Sequence, residues 1–353
     1  MIHQFDPFIY RISGEFGLRW YGFSYLLGFL FAYIFISWMC SRQKVGLHVK
    51  QVSDFITWGA VGILLGGRLG YCLFYDPSLF VQFKGTLPFW GVFALNEGGM
   101  SAHGGILGLI LACILFAAKT GVSQLYLFDL VAVTAPVGIF FGRIANFFNG
   151  ELVGRAAPAD YTFGIKFPHD ILNWPAYEFS KLASLSNVTS QLGVSNEDWL
   201  RWVDQYRTQP EAQNQVTSML YQIIDQVQQG NVVVIQALSP LLELRHPSQL
   251  YAAAGEGLFI FLILFLFWRS PRTPGVVGAL FLVLYGIARF VGEFFRMPDP
   301  HVGYQWLDLT RGQWLSLVVM AIGLGLLFVW GRREALPFPG WGKAQSVKIH
   351  RRI

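Results

Sequence analysis

The chain has 353 residues; 54% are hydrophobic, 16% aromatic and only 13% charged, with a formal net charge of +5. A soluble domain carries about 25% charged residues, so this chain cannot coat a water-facing globule of its size, and disorder, collagen and coiled coil are excluded with it. An integral membrane protein is the first reading, and the positive balance reads as membrane orientation rather than a nucleic-acid surface.

The first residues hold Asp6 and Glu15 and lack a basic n-region followed by a small-residue cleavage site, so no cleaved signal peptide is expected. A bilayer core of roughly 30 Å needs about 20 apolar residues in a helix. Seven stretches meet or approach that length, at about 20–39, 55–75, 101–118, 125–148, 251–268, 275–295 and 314–331. Segment 85–100 is apolar but holds Pro88, Asn96 and Glu97, and reads as an interfacial or re-entrant approach to the third span. Residues 152–250 are more polar, and 184–230 are rich in Gln, Asn and Ser, with amphipathic patterns at Trp199–Tyr206 and Val216–Val227. Cys40, Cys72 and Cys113 each sit inside an apolar run with no C-x-x-C spacing, which suits packing rather than a metal or redox site.

The expected fold is all-α: a polytopic membrane protein of about seven transmembrane helices with a periplasmic arm or head. Residues 1–151 carry spans 1–4, residues 152–250 form the extramembrane arm, and 251–353 carry spans 5–7 and a cytoplasmic tail. Orientation follows from Lys and Arg in the connections. Arg42, Lys44, Lys50, Lys119, Arg269, Arg272, Arg332, Arg333, Lys343, Lys348, Arg351 and Arg352 fall on one side. Only Arg11, Arg19, Lys84, Arg296 and Arg311 fall in short segments on the other. The N-terminus is thus expected outside and the C-terminus in the cytoplasm, with 152–250 facing out.

Ionisable groups inside a span cost several kcal/mol unless paired or facing water, so they are the candidates for function. Arg68 lies in G-G-R-L-G-Y and His103 in M-S-A-H-G-G. Arg143 lies in G-R-I-A-N-F-F-N-G-E-L-V-G, followed by Asn146, Asn149, Glu151 and Gly154. His246, Ser248, Gln249 and Tyr251 belong to H-P-S-Q-L-Y. On span 6, Tyr285, Arg289, Glu293 and Arg296 fall within a stripe of about 80° at helical spacing. Singly, each has a bland reading: Arg143 pairs with Glu151, Arg289 with Glu293, His103 is a core histidine, and Gly66, Gly67, Gly104 and Gly105 allow close helix packing. Jointly, the topology gathers them in the outer half of the membrane. An excess of Arg over Glu there suits an anion, with phosphate the obvious one at a lipid surface.

These residues are recognisable. Gly142–Gly154 resembles the signature of the prolipoprotein diacylglyceryl transferases throughout. R-W-Y-G at Arg19–Gly22, Gly66–Tyr71, Gly98–Gly105, His246–Tyr251 and Tyr285–Arg296 continue the resemblance across all seven spans. The resemblance implies an enzyme of the bacterial inner membrane that moves the diacylglyceryl group of phosphatidylglycerol to the lipobox cysteine of a prolipoprotein, releasing glycerol phosphate. It implies catalytic roles for His103, Arg143, Arg289, Tyr285, Glu151 and Glu293. The expected phosphatidylglycerol-binding set joins Arg143, Asn146, Gly154, Tyr21 and Arg289 from the resemblance with Asn149, Arg68 and Arg296 from the outer-half cluster. Two departures stand out. Many members carry Glu directly after the H-P-x-Q-L-Y tyrosine, where this chain has Ala252, with Glu256 one helical turn further on. The outer segment is also longer, with the surplus in about 180–240.

The chemistry needs a thiolate and a stabilised leaving phosphate. A cysteine thiol has a pKa of about 8.5, so a nearby base or positive field helps. Arg143 and Arg289 suit the phosphate, and His103 is the first candidate for the thiol proton. No cofactor or metal is expected; the expected partners are phosphatidylglycerol, other membrane lipids and the lipobox segment, with no nucleic acid. The alternatives are a transporter and a phospholipid-binding scaffold without catalysis. Spans 3, 5 and 7 are apolar towards the cytoplasm, which argues against a polar path through the membrane.

Overall fold

The computed structural model describes residues 1–13, 16–43, 46–85, 88–94, 98–297 and 304–342. Glu15, Lys44, Asn96, Glu97, Lys343, Lys348, Arg351 and Arg352 lie outside the described residues. The chain opens with strands β1 (Phe8–Ser13) and β2 (Phe16–Arg19), paired antiparallel with Tyr10 opposite Leu18 and Arg11 opposite Gly17. This hairpin is the one sheet among the described residues of an otherwise helical chain, in keeping with the all-α expectation. A Cβ at Gly17 would stand 2.5 Å from the Tyr10 carbonyl oxygen, so glycine lets the strands close.

Helices follow: α1 (Trp20–Gln43), α2 (Val52–Phe74), α3 (Ala102–Thr120) and α4 (Gln124–Phe148). The polar segment carries α5 (Trp174–Tyr177), α6 (Ser186–Ser190), α7 (Asn196–Gln205), α8 (Pro210–Gln228) and α9 (Val232–Leu238). Next, α10 (Ser248–Ala252) runs through a π-helical stretch, Ala253–Phe259, into α11 (Ile260–Phe267). Last come α12 (Val276–Gly292) and α13 (Arg311–Gly331).

Among the described residues six helices are long and apolar enough to cross a membrane: Trp20–Gln43, Val49–Phe74, Ala102–Thr120, Gln124–Phe148, Ser248–Phe267 and Arg311–Gly331. The seventh expected span appears as α12, an apolar helix of 17 residues. At 1.5 Å per residue it spans about 26 Å. Its polar end, Glu293–Arg296, leaves regular helix and pairs its backbone with Gly154 and Arg155 instead.

The chain forms two compact units. The first holds Met1–Tyr25, Ile139–Leu258 and Tyr285–Val318. Its largest apolar core lies in the polar segment, where Trp174, Leu182, Leu185, Trp199, Leu220 and Ile223 are almost wholly buried. The amphipathic patterns explain this. Trp199 and Val203 on α7, and Val216, Leu220, Ile223 and Val227 on α8, face one core at helical spacing. Ser195 caps α7 by accepting from the Asp198 amide at 3.1 Å, and Pro210 opens α8. Trp199 Nε1 donates to the Leu182 carbonyl at 2.9 Å, satisfying the one polar atom of a buried ring.

The second unit holds Leu26–Gly138, Phe259–Leu284 and Val319–Ile353. Here α2 and α3 pack through glycine. A Cβ at Gly62 would stand 2.6 Å from the Gly108 carbonyl oxygen, one at Gly66 would stand 2.8 Å from Gly108 Cα, and one at Gly70 2.9 Å from Gly104 Cα. Lipid offers no hydrophobic gain for helix association, so this close backbone approach supplies the packing. In the same unit the Asp129 carboxylate on α4 accepts from the Gly275 and Gly278 amides, both at 2.7 Å, and caps the start of α12.

Candidate active site

The site belongs to the first unit and is built from the end of α4, the turn after it, α10 with its π-helical stretch, and the end of α12. The α4 helix stops at Phe148, and the chain turns through Gly150 (φ +67) and Leu152 (φ +54). Leucine rarely adopts that backbone, so the turn must be held by its surroundings. Two residues of α10 hold it: Ser248 Oγ donates to the Leu152 carbonyl at 2.9 Å and Gln249 Nε2 to the Glu151 carbonyl at 2.6 Å. The Glu151 side chain is fixed separately. Tyr21 on α1 donates to its Oε2 at 2.6 Å, and Asn146 Nδ2 donates to the Tyr21 hydroxyl. Two motifs far apart in sequence thus meet on one hydroxyl.

A second network carries the charge. Glu256 is 1% exposed. Its Oε2 takes Arg143 Nη2 at 2.8 Å and Nε at 3.2 Å, and its Oε1 takes Arg289 Nη1 at 3.4 Å. Arg289 Nη2 also pairs with Glu293 Oε1 at 2.6 Å, and Arg296 Nη1 reaches the same oxygen at 3.5 Å. Glu293 Oε2 accepts from Thr310 Oγ1 at 2.9 Å. Tyr285 sits within the field of Arg143, Arg289 and Glu256. Arg143, Arg289 and Arg296 line one narrow cleft together with Glu256, Leu152 and Ala252. Counting these three arginines against Glu256 and Glu293 leaves one positive charge, the complement of a phosphodiester.

The predicted residues divide on this frame. Tyr21, Arg143, Asn146, Glu151, Tyr285, Arg289, Glu293 and Arg296 all fall in these two networks. Asn149 is buried beside them at the end of α4. Gly154 is a packing position: a Cβ there would stand 2.8 Å from the Phe295 carbonyl oxygen. The bland pairing of Arg143 with Glu151 is replaced, since Arg143 goes to Glu256. His103 belongs to the second unit, exposed in the first turn of α3, and its imidazole has no hydrogen bond among the described residues.

Arg68 belongs to the second unit and has different partners. It is 5% exposed and spends its guanidinium on main-chain carbonyls. Nε donates to Val92 at 2.7 Å, Nη2 to Gly91 at 2.6 Å, and Nη1 to Gly98 at 2.6 Å and Gly99 at 3.0 Å. Four of its roughly five N–H donors are therefore committed. It fastens irregular backbone, which leaves about one N–H for any further partner.

The motifs that meet here are those of one family. The prolipoprotein diacylglyceryl transferase model matches residues 7–329. The chain belongs to the prolipoprotein diacylglyceryl transferase family. A phosphatidylglycerol–prolipoprotein diacylglyceryl transferase of Bdellovibrio bacteriovorus is 54% identical over 352 residues, 100% of both chains. Proteins of the same name from Neisseria gonorrhoeae and Idiomarina loihiensis are each 36% identical. They match over 323 and 324 residues, covering 91% of this chain and 94% and 92% of their own. In this diacylglyceryl transferase family member, the sequence marks Glu256 only as the carboxylate one turn beyond Ala252, and offers Ser248 and Gln249 as candidates without a task. The latter two stood in a motif whose polar side chains serve backbone. Glu256 lies in a π-helical stretch that leaves no sequence signature.

Proposed function

We propose that the chain transfers the diacylglyceryl group of phosphatidylglycerol to the lipobox cysteine thiol of a prolipoprotein, forming a thioether and releasing glycerol phosphate. The carrying observation is the cleft lined by Arg143, Arg289 and Arg296 with one positive charge in excess. The thiolate attacks the glyceryl carbon that bears the phosphate, the C–S bond forms and the C–O bond breaks. The departing phosphate gains a second negative charge in doing so. Fixed guanidinium groups meet that charge without reorganisation, which is where an enzyme gains most. Arg143 and Arg289 hold the phosphate, with Tyr285 beside them; Glu293 orients Arg289 and Arg296. The linked Tyr21, Asn146 and Glu151 face the lipid headgroup, with Asn149 supporting the turn. His103, whose ring no described residue engages, is assigned the thiol proton on chemistry alone.

Family membership supports the bacterial inner membrane, and the Lys and Arg bias supports an N-terminus in the periplasm and a C-terminus in the cytoplasm. Residues 152–250 are then a periplasmic arm between two membrane parts, 1–151 and 251–353. The test is complementation. In a bacterium whose own transferase is switched off, expression of this chain should restore diacylglyceryl labelling of a lipoprotein. Normal membrane insertion with no labelling would sink the proposal.

A further inference from the structure

We propose that Glu256 is a positioning residue: its carboxylate holds Arg143 and Arg289 facing the cleft, at the spacing that two oxygens of one phosphate require. This rests on the phosphate reading of the same site. Two guanidinium groups in a medium of low dielectric repel and would swing apart. Glu256 gives one oxygen to each, Oε2 to Arg143 at 2.8 Å and Oε1 to Arg289 at 3.4 Å. A carboxylate only 1% exposed is costly unless paired, and here both partners are present. The local backbone is also unusual. Glu256 sits in the π-helical stretch Ala253–Phe259, a form found mostly as single turns at functional sites. Gly292 on α12 packs beside it, and a Cβ there would stand at ordinary contact distance, 3.7 Å from Glu256 Oε1. Ala252, one turn earlier, lines the same cleft, so a carboxylate can be moved along this helix without leaving the site.

The experiment compares the purified full chain with Glu256→Gln, Glu256→Ala and the double variant Ala252→Glu/Glu256→Ala. Retention of phosphatidylglycerol is measured by native mass spectrometry, and KM is measured separately for lipid and lipobox peptide. Glu256→Gln keeps the shape and removes the charge. It should weaken lipid retention and raise the lipid KM about tenfold or more, while the peptide KM stays within about twofold. The double variant should recover most of what Glu256→Ala loses, which a purely structural residue would not allow. Lipid retention by Glu256→Gln equal to that of the unmodified chain would overturn the proposal. So would a peptide KM that rises in step with the lipid KM. Absence of turnover in the unmodified chain would instead remove the transferase reading, and the retention comparison would still decide the role of Glu256.

Discussion

Arg143 and Arg289 differ from Arg68 only in what surrounds them. All three are arginines inside apolar helices next to glycine-rich motifs. Arg68 meets four carbonyls, whereas Arg143 and Arg289 meet carboxylates and a cleft. Arg143→Ala and Arg289→Ala should each lower turnover by about 10²–10³-fold, the loss typical of one fixed donor at a developing anion. Steady-state kinetics on purified variants checks this. Lysine at either position keeps charge but not the fork, so Arg143→Lys should remain well below the unmodified enzyme. Arg68→Gln should behave differently. It leaves buried carbonyls unpaired at about 1–3 kcal/mol each, so it lowers thermal stability in detergent. The lipid KM of the folded fraction should not change. The difference was not legible in sequence, because carbonyl partners on an irregular loop leave no signature. Scarce charge in apolar spans singles these residues out without giving their tasks.

At the scale of elements, glycine and tryptophan carry separate loads. Leucine at Gly66 would drive a side chain into Gly108. Gly66→Leu should cost about 1–3 kcal/mol by overpacking and lower the melting temperature in detergent. Trp199→Ala should cost about 3–5 kcal/mol in the core of the first unit, where it is wholly buried. The periodicity of α7 and α8 made that core legible, since both helices show one apolar face in a polar segment. The N-terminal hairpin was not, because its strands are short and adjoin an apolar span. Two histidines tie that N-terminal segment down. His3 Nε2 contacts the Phe147 carbonyl at 2.6 Å, and the His3 and His169 rings lie 6.5 Å apart. Burial pushes His169 down to about 4, with His3 adding to the effect. Burial also pushes His3 below its ordinary value, against the pull of Phe147. The His169 contribution is therefore present above the ordinary value of about 6.5 and is lost as pH falls from there through about 4, and His3 acts in the same direction. Melting temperature should fall over that window, and His169→Gln should flatten the dependence.

At the scale of the whole molecule, low charge content organises everything else. Apolar runs of bilayer length located the spans in sequence, and six long helices with a shorter seventh occupy those places. The seventh is short because its last turn leaves the helix to pair with Gly154 and Arg155. That pairing depends on residues more than a hundred positions away, which local pattern cannot reveal. For the orientation, a fluorescent protein fused after Ile353 should be accessible only from the cytoplasmic side; access from outside would reverse the topology. The most direct measurement mixes the purified chain with phosphatidylglycerol and a lipobox peptide and follows both products by mass spectrometry. The account predicts a diacylglyceryl thioether on the cysteine and glycerol phosphate in equal amounts. Neither product appearing, under conditions where the Bdellovibrio bacteriovorus relative yields both, would contradict it.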